Sequence, residues 1–492
     1  MITISIPTGL SDLHPGHWPR LFPRSALQRP NLSELARMPE SQLPRFVRES
    51  AVAIKYLRLL GPLDWAHFPE RPDHRFDPDR APLPYAAFTA AYLIKIDQHL
   101  PYMSDLWDYL VEHPALVWIL GFPLVRASTF SWGFDTRASL PTHRHLSRML
   151  RTLPNSTLQF LLDDTVRLLH TALQDQAPAF GDRISLDTKH VIAWVKENNP
   201  KAYVQERYDK TKQPNGDPDC RLGCKRKSNQ RKKHQSAESL PTPATNPVPA
   251  KDVRVGEYYW GYGSGVVATK VAGWGEFVLA ELTQTFDQPD VSYFHPLLAD
   301  VERRLGRQPR FGALDAAFDA FYVYEAFDDA GGFAAVPLTK RGGHKIRTFS
   351  KDGLPLCDAG LPMPLKYTYQ CRTTLIAHER GRYACPLRFP EPTGEACPIQ
   401  HKKWAKQGCV TTLATSKGAR LRYQIDRDSH AYKEIYKQRT ATERINSQAV
   451  AFGIERPKLR NAVSIANHNT LTYVLINVHA LQRVHQRLTK RP

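Results

Sequence analysis

Asp187 in ISLDTKH, Asp315 in ALDAAFD and Glu443 in YKQRTATERIN are the residues of this chain whose types and settings suit metal-assisted chemistry. The first two close short apolar runs that read as buried strands, where a carboxylate escapes its desolvation cost only by pairing or by binding a cation. The third sits in a polar helix, with Tyr436 and Arg439 at offsets that return nearly to one face. Oxygen ligands of this kind suit Mg²⁺ or Mn²⁺, and two such ions stabilise both the entering and the leaving oxygen of a phosphodiester displacement. Arg439 can grip a phosphate or orient Glu443 through its planar fork, and Tyr436 can contact a DNA backbone. A single strand aspartate is more often a satisfied structural group, so the reading rests on the three together.

The elements that must hold these residues follow from the hydrophobic pattern. Residues 1–180 read as a helical domain, with apolar residues at helical spacing in FVRESAVAIKYLRLLG, YAAFTAAYLIKIDQHL and TLQFLLDDTVRLLHTAL and no strand pattern. Within it THRHLSRMLRTL (142–153) is a short basic helix able to enter a DNA groove. From Arg183 the period changes, and 181–340 reads as a mixed sheet covered by helices: three strands, a helix at FHPLLADVERRLG, a strand at RFGALD, a helix, and a last strand at FAAVPLTK. That order is the one expected of an RNase H-like core, with Asp187 on its first strand and Asp315 at the end of its fourth. Residues 200–252 read as a mobile basic loop and Pro-rich linker inserted into this core. Residues 341–427, rich in Pro and Gly with short β-like runs, read as an inserted β-rich subdomain. In 428–492 one helix should carry Tyr436, Arg439 and Glu443, and a final one (461–484) should pack on the sheet.

Charge points the same way. The 67 Lys and Arg against 48 Asp and Glu give a net charge of +19, which favours a polyanionic partner. The basic excess concentrates in KRKSNQRKK, where Lys225, Arg226, Lys227, Arg231, Lys232 and Lys233 can neutralise backbone phosphates. The apolar stretch LVWILGFPLV is far shorter than the roughly 20 residues of a membrane span, and the first residues lack a signal-peptide pattern, so a cytoplasmic protein with no membrane partner is expected. Seven cysteines spread over 492 residues argue against a disulfide framework. Cys371, Cys385, Cys397, His401 and Cys409 fall in the insert, where a structural Zn²⁺ would help a small core, but their spacings are wide and lack a C-x2-C knuckle. Cys220 and Cys224 lack a second pair, so reduced, unliganded thiols are expected throughout.

Taken together, ISLDTKH, ALDAAFDAFYVYEAF and the Tyr-x2-Arg-x3-Glu of YKQRTATERIN resemble the DDE transposases of bacterial insertion sequences, in the subgroup with a β-insert before the glutamate. The resemblance covers about 180–480. Asp187 to Asp315 and Asp315 to Glu443 are each 128 positions apart. The resemblance implies an RNase H-like core and Asp187, Asp315 and Glu443 as ligands of two Mg²⁺ (or Mn²⁺) ions. It further implies cleavage and strand transfer on double-stranded DNA without a covalent protein–DNA intermediate, and a homodimer on paired transposon ends, nucleoid-associated when bound to DNA. The subgroup carries a lysine seven positions after the glutamate, where this chain has Val450; Lys458 and Arg460 are the nearby replacements. Asp319, the competitor of Asp315, is expected to cap a helix or form a salt bridge, and His190 to be structural. A nuclease of the same fold without strand transfer, or a silent DNA-binding copy, would carry many of the same features.

Overall fold

The computed structural model describes residues 30–71, 83–226, 256–339, 347–372 and 375–490. At its centre lies a six-stranded sheet of β1 (Arg183–Ile192), β2 (Arg221–Arg226), β3 (Gly256–Val271), β4 (Gly275–Thr285), β5 (Phe311–Leu314) and β6 (Phe333–Ala335). β3 pairs antiparallel with β4 on one side and β1 on the other, after which β5 and β6 continue parallel to β1. This is a mixed α/β architecture.

Alternation along β1 sorts its side chains between two faces. Ile184 and Leu186, with Leu314 of β5, enter a cluster with Phe294, Leu297 and Val301 of α3 (Phe294–Leu305) and Val323 and Phe327 of α4 (Phe321–Asp329). Ser185 and Asp187 therefore face the opposite side.

β3 is unusually rich in glycine for a central strand, and its neighbours explain why. A Cβ at Gly263 would stand 2.4 Å from the Tyr293 hydroxyl, and one at Gly265 2.3 Å from the Tyr293 ring. The bare backbone lets the 3₁₀ turn Asp290–Tyr293 lie flat on the sheet, where the Tyr293 hydroxyl donates to the Gly263 carbonyl at 2.9 Å.

The helices before residue 174 share their core with the sheet. Their buried residues, from Leu32 to Leu162, belong to one apolar cluster with Tyr262, Val266 and Val278 of the sheet and with Ile465 to Val478 of the C-terminal helix. α2 (Asn155–Leu173) packs along α8 (Ala462–Leu488), which lies between these helices and β4. Polar groups of α8 are matched on both sides: Asn477 exchanges hydrogen bonds with the backbone of Val278 and donates to Thr165, and Asn467 donates to the carbonyls of Leu150 and Leu153. A two-residue strand pair, Val125–Arg126 with Phe134–Asp135, also interrupts the helical region.

Residues 201–220 lack helix and strand, as expected of a loop, but the segment is anchored to the core and 221–226 form a strand. Asp217 and Cys220 are buried, the Tyr262 hydroxyl donates to Asp217 at 2.7 Å, and β2 pairs with Gly256–Gly261 of β3. Asp219 accepts from the backbone N–H of Ala462 at the start of α8. The segment folds because its acids and aromatic contacts are satisfied by the sheet and by a helix N-terminus, neither of which local charge or composition reveals. Residues 227–255 lie outside the described residues, and with them Lys227, Arg231, Lys232 and Lys233; Lys225 and Arg226 end β2.

The insert forms a three-stranded antiparallel sheet, β7 (Leu365–Cys371), β8 (His378–Ala384) and β9 (Val410–Ala414), in the order β9-β8-β7. It returns to the core through α5 (Gly418–Gln424), which packs against α4. The single helix expected to follow is two: α6 (His430–Tyr436) and α7 (Thr440–Ala451), joined by a 3₁₀ turn at Lys437–Arg439. The backbone stays in the helical region while ψ rises from −29° at Tyr436 to −16° at Thr440, so the turn tightens without reversing the chain.

Candidate active site

β1 and β5 run side by side in parallel, with Leu186 paired to Leu314. One step further, the chain presents Asp187 and Asp315 on neighbouring strands, which are about 4.8 Å apart in such a sheet. At Asp315 the strand gives way to a 3₁₀ turn, and the carboxylate caps it by accepting from the Ala317 N–H at 2.8 Å. Asp187 accepts from its neighbour Thr188 N–H at 2.9 Å and from the Asn446 amide at 3.2 Å.

α7 crosses above these acids. The Thr442 N–H donates to Ser185 Oγ at 3.2 Å, and Asn446 reaches Asp187, so this face of α7 is fixed over β1. Glu443 lies one turn before Asn446, about 4.5 Å along the helix axis. Its carboxylate is half-exposed and pairs with the Arg439 guanidinium. Tyr436 is half-buried and stacks on Tyr432 at 5.8 Å, so its ring packs on α6 rather than bonding to the acids.

A fourth carboxylate joins the group. Asp290, at the head of the turn that Gly263 and Gly265 admit, accepts from the Thr188 hydroxyl at 2.7 Å. The sequence contains a signal for it only in retrospect, because the glycines of β3 reveal their purpose once Tyr293 is seen lying across them.

The electrostatics are those of an underpaired cluster. Burial, against the Thr188 N–H and Arg439 and with the carboxylates of Asp315 and Asp290 acting in its own direction, leaves Asp187 raised to about 6. Burial likewise raises Asp315, with Asp290 adding to the effect and the Ala317 N–H and Arg439 resisting it. The Asn446 Oδ1 is buried without a partner, next to the acid its own amide nitrogen contacts. Adjacent carboxylates that disfavour one another's charge, beside an orphaned amide oxygen, form a donor set that a hard divalent cation satisfies. Asp187, Asp315 and Asn446 fit Mg²⁺ or Mn²⁺ by chemistry. Among the described residues no three His, Cys, Asp or Glu side chains are yet gathered around one point, and Glu443 is turned to Arg439.

Asp319 is a different case. It accepts from both sides of the Arg422 guanidinium, from the Tyr324 hydroxyl at 2.8 Å and from the Thr339 N–H at 2.6 Å. With its side chain 1% exposed, it is a satisfied structural acid tying α4 to α5. His190 packs against Phe286 at 4.4 Å and Tyr259 at 6.1 Å. Lys458 and Arg460 place their charged heads over the Trp194 ring, at 5.6 and 4.8 Å.

On the helical side, α1 (His143–Thr152) buries Leu146, Met149 and Leu150 and exposes Arg144, Arg148 and Arg151. No helix among the described residues is long and apolar enough to cross a membrane. No protein-family model matches the chain, and no curated protein matches it.

Proposed function

We propose that the protein is a DNA transposase of the DDE type, built on an RNase H-like core, that cuts and joins DNA at its own element's ends. The observation that carries this reading is the placement of Asp187 and Asp315 side by side on adjacent parallel strand ends, beneath the segment bearing Arg439 and Glu443. Leaving β2 aside, the sheet order β4-β3-β1-β5-β6, antiparallel up to β1 and parallel beyond it, is the order expected of an RNase H-like core and supports the same reading.

Asp187, Asp315, Asn446 and, once released by Arg439, Glu443 are the residues that would hold Mg²⁺ or Mn²⁺. The ions would supply an activated water and charge stabilisation on the leaving oxygen. The chain's own contributions are positional. Arg439 is within one turn of Glu443 and electrostatically felt by both aspartates, so a phosphate arriving at the acids offers its fork a second, doubly bonded partner. Exchange of Arg439 from Glu443 to phosphate frees the third carboxylate only when DNA is present. Burial around Asp187 keeps the bound phosphodiester away from bulk water. Arg144, Arg148 and Arg151, together with the basic run 225–233, offer phosphate contacts away from the acids, and two protomers would hold two ends.

The test is a pair of assays on the DNA that flanks the coding sequence, where this reading expects inverted repeats. Mg²⁺-dependent strand breaks at the repeat ends, followed by joining of pre-cut ends to a target plasmid, are expected. Breaks without joining would make the protein a nuclease, and specific binding without breaks would leave a silent DNA-binding protein.

A further inference from the structure

The insert has little with which to hold itself together. From Arg347 to Gln424 its buried hydrophobic cluster comprises Met363, Tyr383, Leu413, Ala414 and Ala419, a small core for a segment of this length. Into the edge of that core the fold brings three thiols from three separate places. β8 and β9 are paired in register up to Ala384 opposite Val410, so the next positions outward, Cys385 and Cys409, leave the sheet as neighbours. Cys357 opens a turn in which its carbonyl accepts from the Gly360 N–H at 2.9 Å, and its own N–H donates to Leu361. The chain then reaches Pro364, whose carbonyl accepts from Ala384 at 3.0 Å, directly before Cys385. The Cys409 side chain contacts those of both Cys385 and Cys357, and Cys357 and Cys409 pack on the same apolar cluster. Cys385 also opens a tight turn, closed by the Arg388 N–H at 3.1 Å. None of the seven cysteines is in a disulfide.

We propose that Cys357, Cys385 and Cys409 are ligands of a structural Zn²⁺ that staples the insert, with Cys397 as the fourth. Cys397 belongs to the loop whose two ends carry Cys385 and Cys409, so closing that loop on a metal needs no other part of the chain. As thiols, the three sulfurs pair through Cys409 and do not yet surround one centre, in keeping with the absence of a gathered ligand set among the described residues. A thiophilic cation with tetrahedral preference binds cysteines as thiolates, so each Cys–Zn bond formed here would release its thiol proton to solvent. The wide spacing that argued against zinc in the sequence is spanned by strand pairing: 357, 385 and 409 are far apart in the chain and adjacent in the insert. The site stands whether or not the protein transposes DNA.

The test uses the full-length protein purified without chelator. Elemental analysis is expected to find about one zinc per chain. Cobalt added to metal-stripped protein is expected to give a thiolate-to-cobalt charge-transfer band together with the visible d–d bands of a tetrahedral site. Cys409→Ser should lose both, and Cys220→Ser, which removes a thiol bonded to the Asp217 carbonyl in the main sheet, should keep both. Cys397→Ser should release zinc faster to a chelator. Zinc below about a tenth per chain with no cobalt charge-transfer band in the unmutated protein overturns the site. A Cys385–Cys409 disulfide in protein kept under reductant overturns it too. Both of these measurements are made on the unmutated protein, so they hold even if the Cys409 variant fails to fold.

Discussion

Asp315 and Asp319 lie four residues apart on the same strand-to-helix passage, and the chain treats them in opposite ways. Every side of Asp319 is filled: a guanidinium, a hydroxyl and a backbone N–H close around it. Asp315 caps its turn and is otherwise left beside Asp187 and Asp290, which carry the same charge. An acid that only holds a fold together is given donors and a counter-charge, because an unpaired buried carboxylate costs several kcal/mol. Acids placed so that they repel one another suit the arrival of a cation, as the proposed reading requires.

Mutating both sides of that comparison is the most direct way to break it. Asp187→Ala and Asp315→Ala are expected to lower Mg²⁺-dependent end cleavage by about a thousandfold or more, ~4 kcal/mol of barrier, with little loss of stability or end binding. Asp319→Ala is expected to do the reverse. It strands the Arg422 guanidinium and costs about 3–5 kcal/mol of stability in urea unfolding, while the folded fraction still cuts. Cleavage retained by Asp187→Ala, or lost by the folded fraction of Asp319→Ala, would overturn the division between the two acids.

Acid titration sharpens the contrast with a smaller effect. The folded-state value of Asp187 is raised from 3.8 to about 6, so between these values the native protein binds more protons than the unfolded chain. Metal-free stability therefore falls as pH rises through that window, by at most about 3 kcal/mol from this group. Glu281, fully buried and pushed up to about 7, adds a slope of the same sign. Asp187→Asn removes the Asp187 share only. The expected result is a metal-free protein stabilised by about 1–2 kcal/mol at neutral pH, with a flatter profile between pH 4 and 6 and a weaker stabilisation by Mg²⁺. Urea melts at several pH values measure it, and an unchanged slope means that Asp187 is relieved in some other way.

The smallest change, Arg439→Lys, probes the switch between them. As a partly exposed partner of Glu443 its loss should move stability by under about 1 kcal/mol. Losing the planar fork should slow strand transfer of pre-cut ends by about tenfold with DNA affinity kept. A lysine variant that transfers at the unmutated rate would reduce Arg439 to a surface partner.

Much of this arrangement is legible in the sequence where periodicity carries it. The apolar runs ending at Asp187 and Asp315, and every strand of the central sheet but β2, can be read because sheet alternation and buried strands leave a local trace. The polar helix of Glu443 is legible too, but its break at Lys437–Arg439 is not, since all its residues keep helical angles. Tertiary partners leave no such trace. Asp290 owes its place to glycines one strand away, and residues 200–226 are ordered by Tyr262 and the start of α8. The unity of the N-terminal helices with the sheet depends on α8, which lies nearly three hundred positions further along the chain.

That last dependence bears on how the protein is made. α8 is among the last parts of the chain to be synthesised, yet it lies between β4 and the helices that emerge first. At about 5–20 residues per second, those helices and the strands bearing Asp187 and Asp315 wait tens of seconds on the ribosome without their shared interior. A product cut short before Asn461 would therefore carry Asp187, Asp315, Glu443 and the basic run and still lack the scaffold that aligns them.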